Sequence, residues 1–239
     1  MTILYEDNHL IIVSKQSGEI VQGDKTGDTP LSETVKQYIK EAYAKPGNVF
    51  LGVVHRLDRP VSGIVLFART SKALPRLNKM FSTGEVRKTY WAVTATPPPQ
   101  PADTLVHWLV RNQQQNKSYA YEREVPHSKR AELSYRLIGR SDRYCLLEVN
   151  LKTGRHHQIR CQLAKIGCPI KGDLKYGAKR SNPDGSISLH ARSIQFVHPV
   201  SGKEIRVEAP VPSDTLWQSF QPLSPVDRRQ QSDGACQHR

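Results

Sequence analysis

The sequence predicts an α+β fold, a largely antiparallel mixed sheet with flanking helices. Segments rich in branched and aromatic residues outnumber those with helical periodicity, and the two kinds follow one another in mixed order. Residues 97–101, Pro-Pro-Pro-Gln-Pro, form a stiff connector that cannot enter a central strand, yet the strand-like segments beyond it need a sheet to join. We therefore predict one domain over residues 1–221, followed by a polar, disordered tail over residues 222–239.

Local patterns place the elements of residues 1–96. Asp28 and Thr29 precede Pro30, as is typical of a helix N-terminus, and apolar residues then recur at helical spacing. Ser71 is the predicted cap of a second helix, which has one apolar and one basic face. Runs of branched residues predict strands. The predicted helices cover residues 31–45 and 71–83, and the predicted strands cover 3–13 (two short strands around a turn), 50–54, 63–68 and 88–96.

The second half of the chain continues the sheet. Branched and aromatic runs predict strands at 105–110, 131–138 and 144–149, and a closing hairpin over 189–197 and 203–207. A helix is predicted over 156–166, with Gly167 as its C-cap. The strands after the proline connector thus complete the sheet begun before it.

Composition excludes several classes of protein. The 239 residues carry a formal net charge of +13, with 37% hydrophobic and 24% charged residues, which is typical of a globular chain. An apolar run of about 18 residues and a basic leader are both missing, so we expect a cytoplasmic protein without a membrane span. The four cysteines are sparse and lack zinc or CxxC spacing, which predicts buried free thiols.

The positive charge is concentrated in one stretch. Residues 152–180 hold eight Lys and Arg against one acid, whereas residues 1–50 hold five Lys against seven acids. A localised basic stretch indicates a partner with a phosphate backbone. The alternative is a solvated basic surface that serves only solubility.

The segment His55-Arg56-Leu57-Asp58-Arg59 places one carboxylate among cationic groups after a strand. A cationic surround keeps Asp58 ionised and available as a nucleophile or base. A salt bridge that merely orders the loop explains the same pattern equally well.

The segment 154–160, Gly-Arg-His-His-Gln-Ile-Arg, opens the predicted helix at 156–166. Helix N-termini attract anions, so contact with phosphate is expected here. Because neighbouring residues do not share a helical face, we expect no joint metal ligation by His156 and His157.

Upstream, Tyr90 lies on the same strand face as Lys88, where it either stacks on a base or packs in the core.

Together these segments resemble the signature stretches of the RluA-type pseudouridine synthases. The resemblance rests on residues 55–63 (HRLDRPVSG), 88–92 (KTYWA), 153–160 (TGRHHQIR), 167–173 (GCPIKGD) and 176–177 (YG), and extends from the first strand to about residue 210. The sequence departs from common family patterns at Gln16, Val61 and Gln162. It also begins at the catalytic strands, which predicts a form without the S4 RNA-binding domain.

The resemblance implies an enzyme that isomerises uridine to pseudouridine in structured RNA, either ribosomal or transfer RNA. It implies a monomer without metal, nucleotide or other cofactor. By position, Asp58 is the catalytic aspartate, Tyr90 the active-site tyrosine, Arg160 the partner of the aspartate and Arg56 the arginine that holds the flipped conformation. Ile159 packs against the base. The further expected RNA contacts are Arg155, His157, Lys72, Arg76, Lys79, Lys171 and Lys175.

Two rival functions predict different behaviour. A non-catalytic RNA-binding protein would tolerate loss of Asp58. A hydrolase using His55 or His157 as acid–base groups would release uracil or cut the strand, whereas an isomerase leaves the length and mass of the RNA unchanged.

Overall fold

One mixed sheet organises the chain and confirms the predicted α+β class. The structure is a computed structural model that describes residues 1–220. Its strands are β1 (Thr2–Glu6), β2 (Leu10–Lys15), β3 (Gly52–Val53), β4 (Ser62–Ala68), β5 (Arg87–Thr94), β6 (Ala102–Asn112), β7 (Lys117–Tyr121), β8 (Lys129–Arg140), β9 (Cys145–Leu151), β10 (Leu189–Val197) and β11 (Glu204–Glu208). The order is β1-β2-β4-β10-β5-β9-β8-β6-β7, with β3 beside β4 and β11 beside β10. Among these paired strands only β4 and β10 run parallel.

The three predicted helices lie where the periodicity places them, a fourth follows β11, and the predicted N-caps of the first two are wrong. They are α1 (Leu31–Ala42), α2 (Ala73–Thr83), α3 (Gln158–Lys165) and α4 (Thr215–Gln218), with a 3₁₀ turn at Leu174–Tyr176. At α1 the N-cap is Pro30, because Asp28 instead accepts a bond from Arg59 at 2.6 Å. At α2 the N-cap is Lys72 and not Ser71, and the first N–H of the helix, that of Ala73, donates to the hydroxyl of Thr70 at 3.2 Å.

The main core lies between the sheet and its helices. Helix α1 buries Leu31, Val35 and Ile39, three positions of its predicted apolar face. Strands β2 and β4 are buried along their whole lengths, which explains their continuous apolar sequences. These two strands form a rigid base for the polar loop that joins β3 to β4.

Two elements escaped the sequence analysis. Strand β7 pairs with the outer side of β6 and is an edge strand, so its composition need not be strongly apolar. The short helix α4 buries Trp217 and, with Phe220, packs on Val93 and Leu146 in a second apolar cluster. The segment after β11 is therefore part of the packed structure as far as Phe220.

The parallel contact between β4 and β10 requires a glycine. Gly63 has φ +114°, and a Cβ atom there would lie 2.4 Å from the carbonyl oxygen of Ala191. Since nothing larger than hydrogen fits, Gly63 lets β10 approach the strand that follows the polar loop. This approach brings the second half of the chain to the site.

Two further predictions are buried free cysteines and a disordered tail over residues 222–239. Cys145, Cys161 and Cys168 are free and buried. The fourth cysteine, Cys236, and the predicted tail over 222–239 lie outside the described residues. Within residues 1–220, no helix is both long and apolar enough to cross a membrane.

Candidate active site

A buried lysine holds the loop that carries Asp58. Lys15, at the end of β2, is fully buried, and its Nζ donates to the carbonyls of Gln16 (2.9 Å), Arg59 (3.1 Å) and Val61 (2.6 Å). Burial lowers the pKa of Lys15 to about 8, although nearby carboxylates, including Asp58, oppose this shift. Two of the three carbonyls belong to the Asp58 loop, so Lys15 fixes the backbone on which Asp58 stands.

His55 has a structural place in the same loop. Its Nε2 accepts the N–H of Leu66 at 2.9 Å, and its ring stacks on Phe81 with 4.8 Å between centroids. Burial lowers the pKa of His55 to about 3, so the ring is neutral near pH 7. A neutral imidazole whose acceptor nitrogen is already bonded to the backbone offers little as an acid–base group.

Arg160 joins two carboxylates at the start of α3. Its Nη1 lies 2.9 Å from Asp58 Oδ2, while Nε and Nη2 bind Asp173 at 2.7 and 2.8 Å. The side chains of Arg160 and Asp173 are 6% and 1% exposed, whereas that of Asp58 is 31% exposed. The bidentate partner is thus Asp173, a residue that the sequence analysis did not single out, and Asp58 keeps an open side.

The two carboxylates favour the charged form of Arg160. Burial alone would lower the pKa of Arg160, but the bonds and charges of Asp173 and then Asp58 raise it above its usual range. Because one cation faces two carboxylates, Arg160 cannot neutralise both. The Asp58 carboxylate therefore keeps lone pairs that Arg160 does not occupy, on the side that is exposed to solvent.

His157 adds a second contact to Asp58. The backbone of His157 is left-handed (φ 52°), so α3 begins at Gln158 and not at residue 156 as predicted. The rings of His156 and His157 therefore stack, with 3.8 Å between their centroids, instead of lying on different helical faces. The Tyr176 hydroxyl accepts the Ser118 N–H and lies 2.9 Å from His157 Nδ1. We assign the Tyr176 hydroxyl as the donor to Nδ1, which puts the imidazole proton on Nε2, 3.4 Å from Asp58 Oδ2.

The charge state of His157 follows from its surroundings. Burial, and after it the positive charge of Arg160, lower its pKa to about 2. The neutral ring can turn an N–H toward Asp58 but cannot supply a proton at neutral pH. Within residues 1–220, no group of three or more His, Cys, Asp and Glu could hold a metal ion.

A cleft of about 90 Å³ opens above Asp58 and brings most of the predicted site residues together. Tyr90 forms one wall and is 8% exposed; burial first, and then Asp58, raise the pKa of its phenol. The cleft is lined by Arg56, Leu57, Asp58, Val61, Tyr90, Leu151, Arg155, His157, Gln158, Ile159, Arg160 and Leu189. Apolar walls around one carboxylate, with arginines at the rim, suit a planar base attached to a charged backbone.

The remaining predicted RNA contacts lie elsewhere. The three cations of α2, Lys72, Arg76 and Lys79, are exposed, and Arg76 donates to the carbonyl of Pro199 at 2.8 Å. Neither Lys171 nor Lys175 lines the cleft. The ammonium of Lys171 donates to Asn182 at 2.5 Å, and that of Lys175 to the carbonyls of Gln115 and Asn116 at 3.3 and 3.1 Å.

Comparisons with known proteins agree on one family. The profile of the RNA pseudouridylate synthase family matches residues 9–165. Ribosomal large subunit pseudouridine synthase D of Xanthomonas campestris is 34% identical over 230 residues, covering 90% of this chain and 67% of that protein. Synthase C of Vibrio cholerae is 33% identical over 221 residues, covering 87% and 65%. The chain thus spans about two thirds of the length of these relatives.

Solved structures show the same fold. Human RNA pseudouridylate synthase domain containing 4 superposes with a TM-score of 0.74 at 22% identity and covers 89% of each chain. Human RNA pseudouridylate synthase domain containing 1 superposes with a TM-score of 0.70 at 20% identity, covering 100% of this chain and 96% of that one.

Proposed function

Because this chain belongs to the RNA pseudouridylate synthase family, we propose that it isomerises uridine to pseudouridine in ribosomal RNA. The reaction breaks the N1–C1′ bond of the uridine and forms a C5–C1′ bond. A proton leaves C5 and another is placed on N1, so the RNA keeps its length and mass. The choice of ribosomal RNA is supported by the substrates in the names of the bacterial relatives.

One observation carries the proposal: Asp58 is the cleft carboxylate whose outer side stays open while Arg160 and His157 hold its inner oxygen. An isomerase of this kind needs a single ionised carboxylate at a base that has left its stack. Whether the carboxylate attacks C1′, adds at C6 or takes a proton from C2′, it must be charged, fixed and accessible. The contact with Arg160 fixes Asp58 and its 31% exposure leaves it accessible, which supports this role.

The neighbouring residues have roles that follow from their positions. Tyr90 and Ile159 enclose the uracil ring between an aromatic and an aliphatic wall. Arg56, exposed at the rim, fills the space that the base leaves in the RNA. Arg160 orients Asp58 through its hydrogen bond and is itself held by Asp173. We propose that the enzyme acts as a cytoplasmic monomer and requires no cofactor.

The test compares wild-type protein with Asp58→Asn on large-subunit ribosomal RNA transcribed with 5-tritiated uridine. We expect wild type to release tritium and to leave the RNA intact, and Asp58→Asn to bind the RNA without releasing tritium. Asp142→Asn, an exposed aspartate outside the cleft, is the matched control and should retain full turnover.

Each rival has its own signature in this assay. Strand cutting or free uracil would indicate a hydrolase. Binding without tritium release by the wild type, on ribosomal and transfer RNA alike, would indicate a non-catalytic RNA-binding protein. Release from transfer RNA alone would overturn the choice of ribosomal RNA.

A further inference from the structure

Lys88 is a cation at the edge of the cleft that the site described so far does not use. It precedes Tyr90 by two residues on β5, so both side chains project from the same face of the sheet. Alternate residues of a strand lie about 6.6 Å apart, so Lys88 stands one step from Tyr90 along the cleft wall. Its cross-strand partner on β9 is Leu151, which lines the cleft.

The ammonium group of Lys88 lacks an anion among the described residues. Its Nζ lies 5.4 Å from the centroid of the Phe81 ring and 3.5 Å from the place of a Cβ at Gly154. Burial lowers the pKa of Lys88, and no carboxylate or hydrogen bond opposes this effect. The half-buried ammonium group is therefore partly withdrawn from water with no carboxylate to compensate its charge.

Three of the cations predicted to bind RNA differ from Lys88, which was not among those predicted, in this respect. Lys171, Lys175 and Arg76 each donate to an amide or carbonyl oxygen within the protein. Lys88 instead points to Gly154, where the missing side chain leaves the backbone open to close approach. An anion that approached the Gly154 backbone would therefore come within reach of the Lys88 ammonium group.

We propose that Lys88 binds a backbone phosphate of the RNA, one that flanks the uridine held against Tyr90. This inference rests on the proposed function, because the position of the base fixes which phosphate comes within reach. The contact anchors the strand at the point where it bends out of its stack. Lys88 is thus a binding residue for the phosphodiester and not a catalytic group.

The first test measures affinity in an Asp58→Asn background, in which the RNA is bound but not turned over. The probe is a ribosomal RNA segment that carries the uridine mapped with wild-type protein. We expect Lys88→Met to raise Kd about tenfold at low salt and to reduce the slope of log Kd against log salt by roughly 0.7–0.9, the share of one phosphate. Lys40→Met, which removes an exposed charge at the end of α1, is the control and should change neither quantity.

The second test identifies the phosphate. Replacing one of the two linkages that flank the uridine by a neutral methylphosphonate should weaken binding by the Lys88-containing protein about as much as Lys88→Met does. The same replacement should weaken Lys88→Met no further. Lys88→Arg should bind within about threefold of the Lys88 protein, since it keeps the charge.

The outcomes separate this inference from the proposed function. If wild type forms no pseudouridine, the proposed function fails. If wild type turns over but Lys88→Met keeps both affinity and salt slope, or if both methylphosphonates leave binding unchanged, the Lys88 inference is overturned. If Lys88→Met does not fold, methylphosphonates that leave binding by the Lys88-containing protein unchanged still overturn the inference, because that measurement needs no substitution at Lys88.

Discussion

Removing the charge of Asp173 should damage stability far more than removing that of Asp58. Asp173→Asn keeps the shape of the side chain but leaves the buried guanidinium of Arg160 without its bidentate partner. Breaking a buried ion pair costs about 3–5 kcal/mol, and the remaining contact with Asp58 favours the lower end, about 3 kcal/mol. In a chain of this length that corresponds to a fall of about 6–12 °C in Tm. Asp58→Asn should cost less than about 1 kcal/mol, because Asp58 is partly exposed and Arg160 keeps both bonds to Asp173.

The assay is thermal and urea unfolding followed by circular dichroism, together with tritium release. Asp173→Asn should unfold earlier and turn over more slowly, since Arg160 is no longer oriented toward Asp58. Asp58→Asn should unfold close to wild type and show no turnover. In an Arg160→Met background, Asp173→Asn should lower the free energy of unfolding by less than it does in the wild type, because the ion pair is already broken. The reasoning is refuted if Asp173→Asn melts within 2 °C of wild type.

Two further predictions concern buried cations and imidazoles. Lys15→Met should lower the free energy of unfolding by about 2 kcal/mol and reduce turnover, because buried carbonyls of the Asp58 loop lose their donor; wild-type turnover of a folded Lys15→Met protein would contradict this role. The folded pKa values of His55 (about 3), His157 (about 2) and His190 (about 4), the last a buried residue of β10, lie below that of an unfolded imidazole. The stability that depends on their neutral forms is therefore present above pH 6.5 and is lost as the pH falls. Between pH 6.5 and 5.0 the three imidazoles together should lower the free energy of unfolding by about 5 kcal/mol in urea unfolding, and an unchanged value would argue against their neutral burial.

The sequence was most informative where chemistry and local pattern coincide. The membership in the pseudouridine synthase family and the α+β class are confirmed, because the signature stretches keep both their residue types and their order. The same stretches led to Asp58, Tyr90 and Arg160, which the structure gathers at one cleft. Their individual roles stay predictions until the variants are assayed.

What the sequence did not reveal depends on contacts between distant segments. Lys15 lies in an otherwise apolar strand, and only the folded loop supplies the carbonyls of Arg59 and Val61 that explain it. Asp173 stands 13 residues after Arg160, beyond the reach of a helical pairing rule. The stacking of His156 and His157 follows from the positive φ of His157, which residue type alone does not predict.

The position of β10 in the sheet also determines when the enzyme can become active during synthesis. The strand after the Asp58 loop and the strand of Tyr90 do not pair with each other, since β10 lies between them. The pairings of β10 with β4 and β5 join segments that are distant in sequence, and such contacts form late in folding. During synthesis they must also wait until the ribosome, which adds about 5–20 residues per second, has made β10. A nascent chain that ends before residue 189 therefore has both halves of the cleft but no strand to join them. Chains that stop before β10 should be unable to modify RNA, so catalytic competence arrives only after β10 has been synthesised.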